Sequence, residues 1–554
     1  MCSTMQMTDL WYENAIIYSL DVETFMDSDG DGVGDFLGLT KRLDYLAGLG
    51  VTCLWLMPFF PSPGRDDGYD VMDYYQIDPR LGTLGDFVEF LYEAQERGLR
   101  VIVDLVVNHT SDQHPWFQES RKGKSSPYYD YYVWRDDEPE DTSDQVVFPG
   151  EQEGIWSYDE QAKAWYLHHF YSHQPDLNIT SRAVRREIRK IMVFWLELGV
   201  AGFRIDAAPF LIGMTGTDGH VRPDDPHVYL RKMRDFLQLR RGDAIFLGEV
   251  DVSLSTIADY FGGGNQLHLL FNFVLNRFLF LALAHETADP LILGLGELPT
   301  IPDTGQWVNF LRHHDELNLS RLTAAQREEV FTEFAPDKKM QIYDRGLRRR
   351  LATMLDGNQR RIELANSLLF SLPGTPVIFY GEEIGMGENL AVDGRLAVRT
   401  PMQWTTEQNG GFSTCARKDL VRPMLTSGDY GYPETNVAVQ RADRTSLLNW
   451  TASLIRARKE CPEIGWGTHT IVTAEDPSIF AIRYDFEGGI VLVLHNFSSK
   501  PVDCELSLKA GDIRRLLDMF GDRAYDPLDP DDPQIHLEGY GYRWLRSGDV
   551  GHAP

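Results

Sequence analysis

Short apolar runs alternate with amphipathic stretches along the first two-thirds of the chain. The stretches between the runs show helical spacing, as at Leu39, Leu43 and Leu46. Strands that alternate with helices in this way predict a parallel sheet. Repeated units of this kind close into an α/β barrel, the (β/α)8 or TIM barrel, with functional side chains at the C-terminal strand ends. The predicted strands lie at 15–25, 51–57, 100–107, 202–207, 246–250, 269–273, 307–311 and 375–380.

Three parts of the sequence depart from this alternation. Residues 111–181 are polar and aromatic, which indicates a domain inserted after the third strand as a lid over the barrel mouth. Residues 317–358 are charged and favour a helical insertion. Beyond residue 461, alternating positions predict a C-terminal antiparallel β-sandwich. We therefore predict domain A at 1–110 and 182–460, domain B at 111–181 and domain C at 461–554.

Composition excludes several classes of function. The 554 residues carry a net charge of −30, and an acidic surface repels phosphate backbones and anionic lipids, so neither nucleic acid nor a membrane is an expected partner. No run of about 18 apolar residues indicates a membrane span, and the N-terminus lacks a signal-peptide pattern. The five cysteines are widely spaced and predict neither a disulfide framework nor a zinc site. A cytoplasmic location is therefore expected.

The stretch 202–207 places two charged residues inside an apolar strand. Side chains two positions apart in a strand point to the same side, so Arg204 and Asp206 share a face. One interpretation is a structural salt bridge. The other is a carboxylate that the neighbouring guanidinium keeps ionised, as a nucleophile requires. What the rest of the chain places nearby favours the second interpretation.

Carboxylates also end two later strands, because Glu249 follows the fifth and Asp315 the seventh. His109, His314 and Tyr69 are expected in the same layer. A retaining glycosidase needs a carboxylate nucleophile and a protonated carboxyl about 5–5.5 Å away. A third carboxylate favours the positively charged transition state. The constellation therefore indicates glycoside chemistry.

The loop 27–35 reads DSDGDGVGD. Asp27, Asp29, Asp31 and Asp35 bring hard oxygen ligands together, with the carbonyl of Val33 between them, which suits Ca²⁺. The loop resembles the start of an EF-hand, but its twelfth position is a glycine in place of the bidentate glutamate. We expect a structural calcium ion here, and the alternative is a solvated acidic turn.

Four motifs resemble the sequence regions of the α-amylase superfamily, glycoside hydrolase family 13. They are DLVVNHT (104–110), GFRIDAA (202–208), GEV (248–250) and HHD (313–315), and they follow the family order. The segment QPDLN (174–178) is similar to the oligo-1,6-glucosidase branch. GMGENL, VRTPMQW (398–404) and GGFS (410–413) resemble the branch that interconverts maltose and trehalose. The resemblance spans nearly the whole chain.

This resemblance implies a retaining enzyme that acts on α-glucosides. Asp206 would be the nucleophile, Glu249 the general acid/base and Asp315 the stabiliser of the transition state. The implied reaction is intramolecular glucosyl transfer between maltose and trehalose, with hydrolysis as a side reaction. The alternative is an α-glucosidase that hydrolyses short α-glucosides from the non-reducing end. A disaccharide is the expected partner, no organic cofactor is expected, and a homo-oligomer stays open.

The resemblance also implies the sugar-binding residues. Arg204, named above, would hold the nucleophile. His109 and His314 would bind sugar hydroxyls, and Tyr69 would stack against the glucose ring. Asp66 and Arg399 would pair and close the far side of the subsite. The site would then be a pocket for a non-reducing end.

The sequence departs from the family pattern at two places. His313 stands where the family usually has Asn, which bears on subsite shape and hence on the product. Related enzymes can bind a second calcium ion at residues that match Asn108 and Asp176, but Gly213 replaces the next acidic ligand. That second site is expected to be weak or absent. Family 13-like domains also occur as non-enzymatic transporter subunits, but those carry a membrane helix and lack the carboxylates.

Overall fold

Eight parallel strands form a closed barrel within the described residues of the computed structural model, which are 10–213, 226–508, 516–527 and 534–547. The first strand pairs with both the second and the eighth, as Ile17 lies beside Cys53 and Val377, and this pairing closes the barrel. The predicted fold class is therefore confirmed. The barrel strands are β1 Ile17–Leu20, β2 Cys53–Leu56, β3 Arg100–Leu105, β4 Gly202–Ile205, β5 Ile245–Gly248, β6 Leu269–Phe271, β7 Gln306–Phe310 and β8 Thr375–Phe379.

Apolar side chains fill the barrel interior. Trp55, Ile102, Leu247 and Phe310 belong to one buried cluster inside the strands. A second, larger apolar cluster lies between the strands and the surrounding helices. This division is the one expected when each strand is buried on both faces.

Helices cover the outside of the barrel. Leu84–Glu96 begins with a capping box, in which Thr83 and Asp86 satisfy each other's backbone N–H groups. The first predicted strand is shorter than expected, because Asp21 caps a helical turn directly after β1. The other main helices are Phe36–Lys41, Leu43–Leu49, Arg182–Leu198, His227–Arg240, Phe273–His285, Asp289–Glu297, Gln359–Ser371 and Leu447–Glu460.

Two insertions lie at the C-terminal end of the barrel. The first follows β3 and contains the helix Pro115–Ser120 and a three-stranded sheet of Trp134–Arg135, Trp156–Asp159 and Ala164–Leu167. The second was expected to be helical, but it contains only one main helix, Ala324–Phe334. Its remainder includes a small antiparallel sheet of two-residue strands at Leu317–Asn318, Gln341–Ile342 and Gly346–Leu347.

The C-terminal region consists of antiparallel strands. A five-stranded sheet runs in the order Thr468–Val472, Ile479–Phe486, Gly489–Asn496, Tyr542–Ser547 and Leu516–Gly521. A two-stranded sheet of Val502–Glu505 and Gln534–Leu537 contributes Cys504 and Ile535 to the same buried cluster as Leu492. The predicted domain limits stay predictions. Among the helices of the described residues, none combines the length and apolar content that a bilayer crossing needs.

Candidate active site

The buried guanidinium of Arg204 lies at the centre of the carboxylates at the strand ends. Its Nη1 is 2.6 Å from Asp206 Oδ1, and its Nη2 is 2.7 Å from Glu249 Oε2. A third carboxylate, Asp104, also lies 2.6 Å from Nη1. The strand register explains this contact, because Asp104 on β3 is the direct neighbour of Arg204 on β4. One guanidinium that contacts both Asp206 and Glu249 suits the short separation of a retaining pair, about 5–5.5 Å.

The backbone immediately after Asp206 also contacts Glu249. Ala207 has a φ of 48°, in the left-handed region that non-glycine residues rarely occupy. Its N–H donates a hydrogen bond to Glu249 Oε2 at 3.1 Å. Such a conformation costs on the order of 1–3 kcal/mol, and it is found where a functional arrangement requires it.

Asp206 and Glu249 both have raised pKa values. Burial raises the pKa of Asp206 to about 6, although Arg204 opposes the shift. Burial also raises the pKa of Glu249 to about 7, with the Asp206 charge adding to it and Arg204 opposing it. Near neutral pH, Asp206 is therefore mostly ionised, while Glu249 keeps its proton in a large share of the molecules. This is the protonation pattern that a nucleophile and a general acid need.

Asp315 remains ionised because two arginines and the imidazole of His314 contact it. His314 Nε2 lies 3.0 Å away, Arg395 Nη1 2.6 Å and Arg399 Nη2 2.9 Å. Burial alone would raise the pKa of Asp315, but His314 and the two arginines together place it well below its ordinary value. An anion fixed beside the nucleophile is suited to stabilising positive charge on a sugar ring.

Asp66 and Arg399 do not pair as the family resemblance implied. Asp66 pairs with Arg395 at 2.7 Å and accepts a hydrogen bond from Gln174 at 2.9 Å. Arg399 pairs instead with Asp67 at 2.5 Å. Asp67, one position later in the loop, faces Arg399 in place of Asp66.

Tyr69 contacts both of the histidines that were predicted to bind the sugar. Tyr69 and His314 have nearly parallel rings, and the Tyr69 hydroxyl is 2.8 Å from His314 Nε2. His109 Nε2 lies 3.2 Å from the Tyr69 carbonyl oxygen. Burial lowers the pKa of both histidines, to about 4 for His314, so the rings are neutral at pH 7. Their roles toward a sugar stay predictions.

A cavity of about 500 Å³ lies beside Tyr69 and His109. Asp206, Glu249 and Asp315 line it, together with Phe148 and Phe170 of the first insertion. His313 also lines the cavity, although its Nδ1 accepts a hydrogen bond from the Asp315 N–H at 3.0 Å. The size is sufficient for a disaccharide-sized ligand.

Comparison with known families identifies the catalytic region. The family described as "Alpha amylase, catalytic domain" matches residues 20–467, which is more than half of the chain. The chain belongs to the α-amylase family. A sucrose hydrolase-like C-terminal domain also matches residues 488–546.

Relatives that match at least 94% of this chain indicate its branch of the α-amylase family. The trehalose synthase/amylase of Mycobacterium tuberculosis is 39% identical over 98% of this chain and 92% of its own. The trehalose synthase of Thermus thermophilus is 42% identical over 94% of this chain and 54% of its own. A solved structure of a trehalulose synthase mutant bound to Tris is 26% identical, with a TM-score of 0.78 over 97% of this chain and 100% of that chain.

Sequence reasoning missed several residues of this α-amylase family site. Asp104 has a signal, because it is a charged residue inside an apolar strand and opens the DLVVNHT motif. Gln174 stands in the QPDLN segment, but no role followed from that position. Arg395 and Asp67 have no comparable signal. Each lies in a loop close to a residue of the same charge type, and spacing alone does not assign the pairs.

The predicted metal loop brings some of its acidic residues together. One carboxylate oxygen from each of Asp27, Asp29 and Asp35 lies within 4.8 Å of the others, and Asp31 lies outside this group of three. Gly32 is required here, because an added Cβ would lie 2.1 Å from a backbone oxygen of Asp419. Three converging carboxylates fit the oxygen ligand set that Ca²⁺ prefers.

At the second calcium site, which we expect to be weak or absent, protein groups already contact Asp176. His169 Nδ1 hydrogen-bonds Asp176 Oδ2, and the Asn108 amide lies 3.4 Å from Asp176 Oδ1. Burial lowers the pKa of His169, but the Asp176 charge outweighs burial and raises it above its ordinary value. A protonated His169 would compete with a metal ion for the Asp176 carboxylate.

Proposed function

We propose that this protein interconverts maltose and trehalose by intramolecular glucosyl transfer, with hydrolysis as a side reaction. The observation that carries the proposal is the Asp206–Arg204–Glu249 arrangement inside a cavity of disaccharide size. Relatives at about 40% identity that are named trehalose synthase favour this substrate pair over other α-glucosides.

The first half-reaction forms a covalent intermediate. An oxygen of Asp206 attacks the anomeric carbon while the glycosidic bond breaks, and Glu249 gives its proton to the departing oxygen. Free glucose and a glucosyl ester of Asp206 result. Asp315 stabilises the positive charge that develops on the ring.

The second half-reaction determines the product. Glucose that stays in the cavity turns to present its anomeric hydroxyl. This oxygen attacks the anomeric carbon of the glucosyl ester while Glu249 takes its proton, and the bond to Asp206 breaks. The new bond gives trehalose, and the reverse sequence returns maltose. Water attacking the same carbon gives glucose. A retained nucleophile has a high effective concentration, up to about 10⁵–10⁸ M in well-oriented cases, which favours transfer.

Product analysis tests this proposal. Purified protein incubated briefly with maltose should give trehalose, and incubation with trehalose should give maltose, as chromatography can resolve. Labelled external glucose should enter the early product only slightly, because the acceptor is the retained molecule. Glucose formed without any trehalose would contradict the transferase proposal.

An α-glucosidase is the second candidate, and His313 is the observation that favours it. Its ring packs edge-on against Phe273 and Phe310 and lines the cavity where the freed glucose would turn. A ring larger than Asn leaves less space for this rotation. The His313→Asn variant should therefore give a higher trehalose-to-glucose ratio if the ring restricts rotation.

We propose that the 27–35 loop binds a structural calcium ion through Asp27, Asp29 and Asp35. Asp31 and the Val33 carbonyl stay candidate ligands. The loop contacts the segment that follows β8, since the Val421 N–H donates to the Gly32 carbonyl at 2.9 Å. A cation there would fix the loop. The residues of this loop are not among those that line the cavity beside Asp206 and Glu249.

A cytoplasmic location is also part of the proposal. Cys53, Cys415, Cys461 and Cys504 are buried and unpaired among the described residues, as is usual in a reducing compartment. A disaccharide remains the proposed partner. The homo-oligomer stays a prediction that light scattering during size-exclusion chromatography would test.

A further inference from the structure

Arg422 is a buried cation behind the active site that the chemistry above does not use. Its Nη1 lies 3.2 Å from Asp21 Oδ2, and its Nη2 lies 2.5 Å from Glu23 Oε1. Nη2 also contacts Asp67. A single guanidinium, with 6% of its side chain exposed, thus contacts three carboxylates.

A continuous chain of contacts leads from Arg422 to Asp315. Asp67 contacts Arg422 with one carboxylate oxygen and Arg399 with the other, the latter at 2.5 Å. Arg399 then reaches Asp315 at 2.9 Å and the His314 carbonyl at 2.9 Å. Arg422 also donates to the Arg399 carbonyl at 2.9 Å. Arg422 therefore holds the side chain of Arg399 through Asp67 and the backbone of Arg399 directly.

The charges explain why Arg422 matters to this chain. Burial would raise the pKa of Asp67, but Arg422 and Arg399 outweigh burial and lower it to about 2. Without Arg422, Asp21 and Asp67 would remain as buried neighbours of Arg399, while Glu23 would keep Arg80 at 3.1 Å. Buried carboxylates that lose a partner are strongly unfavourable, so the remaining guanidinium would be drawn toward them. Arg399 would then hold Asp315 less firmly.

We propose that Arg422 is a positioning residue for the reaction, which acts by neutralising the Asp21–Glu23–Asp67 cluster so that Arg399 can hold Asp315 in place. The inference rests on the proposed role of Asp315 as the stabiliser of the transition state. It assigns Arg422 no contact with the substrate.

The test compares Arg422→Met with wild type on maltose. The kcat should fall about 100-fold, since a misplacement of about 1 Å at the reacting centre has this effect. The KM should change less than about twofold, because an interaction made only in the transition state affects kcat and kcat/KM equally. Arg422→Lys, which restores the charge, should recover most of the loss. A folded Arg422→Met variant with wild-type kcat would overturn the inference.

A double-variant cycle shows whether Arg422 acts through Asp315. The Arg422→Met change should have little further effect in an Asp315→Asn background, since coupled residues are not additive. Fully additive losses would overturn the inference. If Asp315→Asn alone keeps wild-type activity, the proposed role of Asp315 fails instead, so the two failures are distinguishable.

The matched control is Arg543→Met. Arg543 is also buried, with 4% of its side chain exposed, and is paired with Asp518 at 2.5 Å in the C-terminal sheet. Its loss should lower the melting temperature and leave kcat unchanged. If Arg422→Met melts below the assay temperature, Arg422→Gln takes its place, and the same criteria for kcat, KM and additivity apply.

Discussion

Glu249 lies 2.7 Å from the same Arg204 guanidinium that contacts Asp206 at 2.6 Å. The negative charge of Asp206 is one cause of the raised pKa of Glu249. In the proposed mechanism Asp206 becomes a glucosyl ester, so that charge disappears while Arg204 stays in contact. The pKa of Glu249 then falls, which suits its change from acid to base between the two half-reactions.

Asp206→Ala should remove activity, because no covalent intermediate can form. We expect kcat to fall on the order of 10⁴–10⁶-fold, as for other lost nucleophiles. Intact-mass spectrometry of Glu249→Gln with an activated fluoroglucoside should show one added glucosyl group. A double variant, Asp206→Ala with Glu249→Gln, is the control and should show no added mass. Wild-type turnover in Asp206→Ala would refute the assignment.

The pH dependence of kcat/KM should be a narrow bell. Activity requires Asp206 without its proton, so it should fall as the pH drops below about 6. It also requires Glu249 with its proton, so it should fall as the pH rises above about 7. The two carboxyls interact, so these values belong to the pair. Initial rates from pH 4.5 to about 9 at low maltose concentration measure both limbs.

Arg395→Ala should shift the products toward free glucose. The sequence pointed to Arg399 as the partner of Asp66, but the structure gives this place to Arg395. Loss of the Arg395–Asp66 pair opens one wall of the cavity to water and frees Asp66. Arg395 also contacts Asp315, so kcat should fall as well.

The ratio of glucose to trehalose in an early maltose digest is the decisive measurement for Arg395. Arg360→Ala is a suitable control, because Arg360 is exposed and pairs with Asp522, which directly follows the strand Leu516–Gly521. This control should leave the product ratio unchanged. An unchanged ratio in Arg395→Ala would show that the pair does not exclude water.

Chelation should lower the melting temperature if the 27–35 loop holds calcium. A ligand bound only to the folded state stabilises it by about 2.7 kcal/mol at a concentration of 100 times its Kd. The Asp27→Asn variant should melt at a lower temperature and respond less to chelator. Elemental analysis should detect about one calcium per chain in wild type. An unchanged melting curve in excess chelator would count against the site.

The barrel and the proximity of Asp206 and Glu249 could be predicted because two regularities determine them. Apolar runs placed the strands, and parallel strands bring the residues after their C-terminal ends to one face. Asp206 and Glu249 are therefore neighbours although they are 43 positions apart in the chain. The contact of both with Arg204 follows from the same geometry.

Loop pairings could not be predicted in this way. Asp66 and Asp67 are adjacent, and Arg395 and Arg399 are four positions apart, so sequence spacing permits either pairing. The backbone path of two long loops decides between them. The sheet in 317–358 was missed for a similar reason. Its two-residue strands are too short to show an alternating pattern.

The contacts of Arg422 have a consequence for how the enzyme acquires activity. They join Arg422 to Asp21, Glu23 and Asp67, which lie 401, 399 and 355 positions earlier in the chain. Contacts of such long sequence separation are costly in loop entropy and form late in folding. On refolding, helical circular dichroism should therefore recover before turnover does. During synthesis, the nascent chain should remain inactive until residue 422 has left the ribosome.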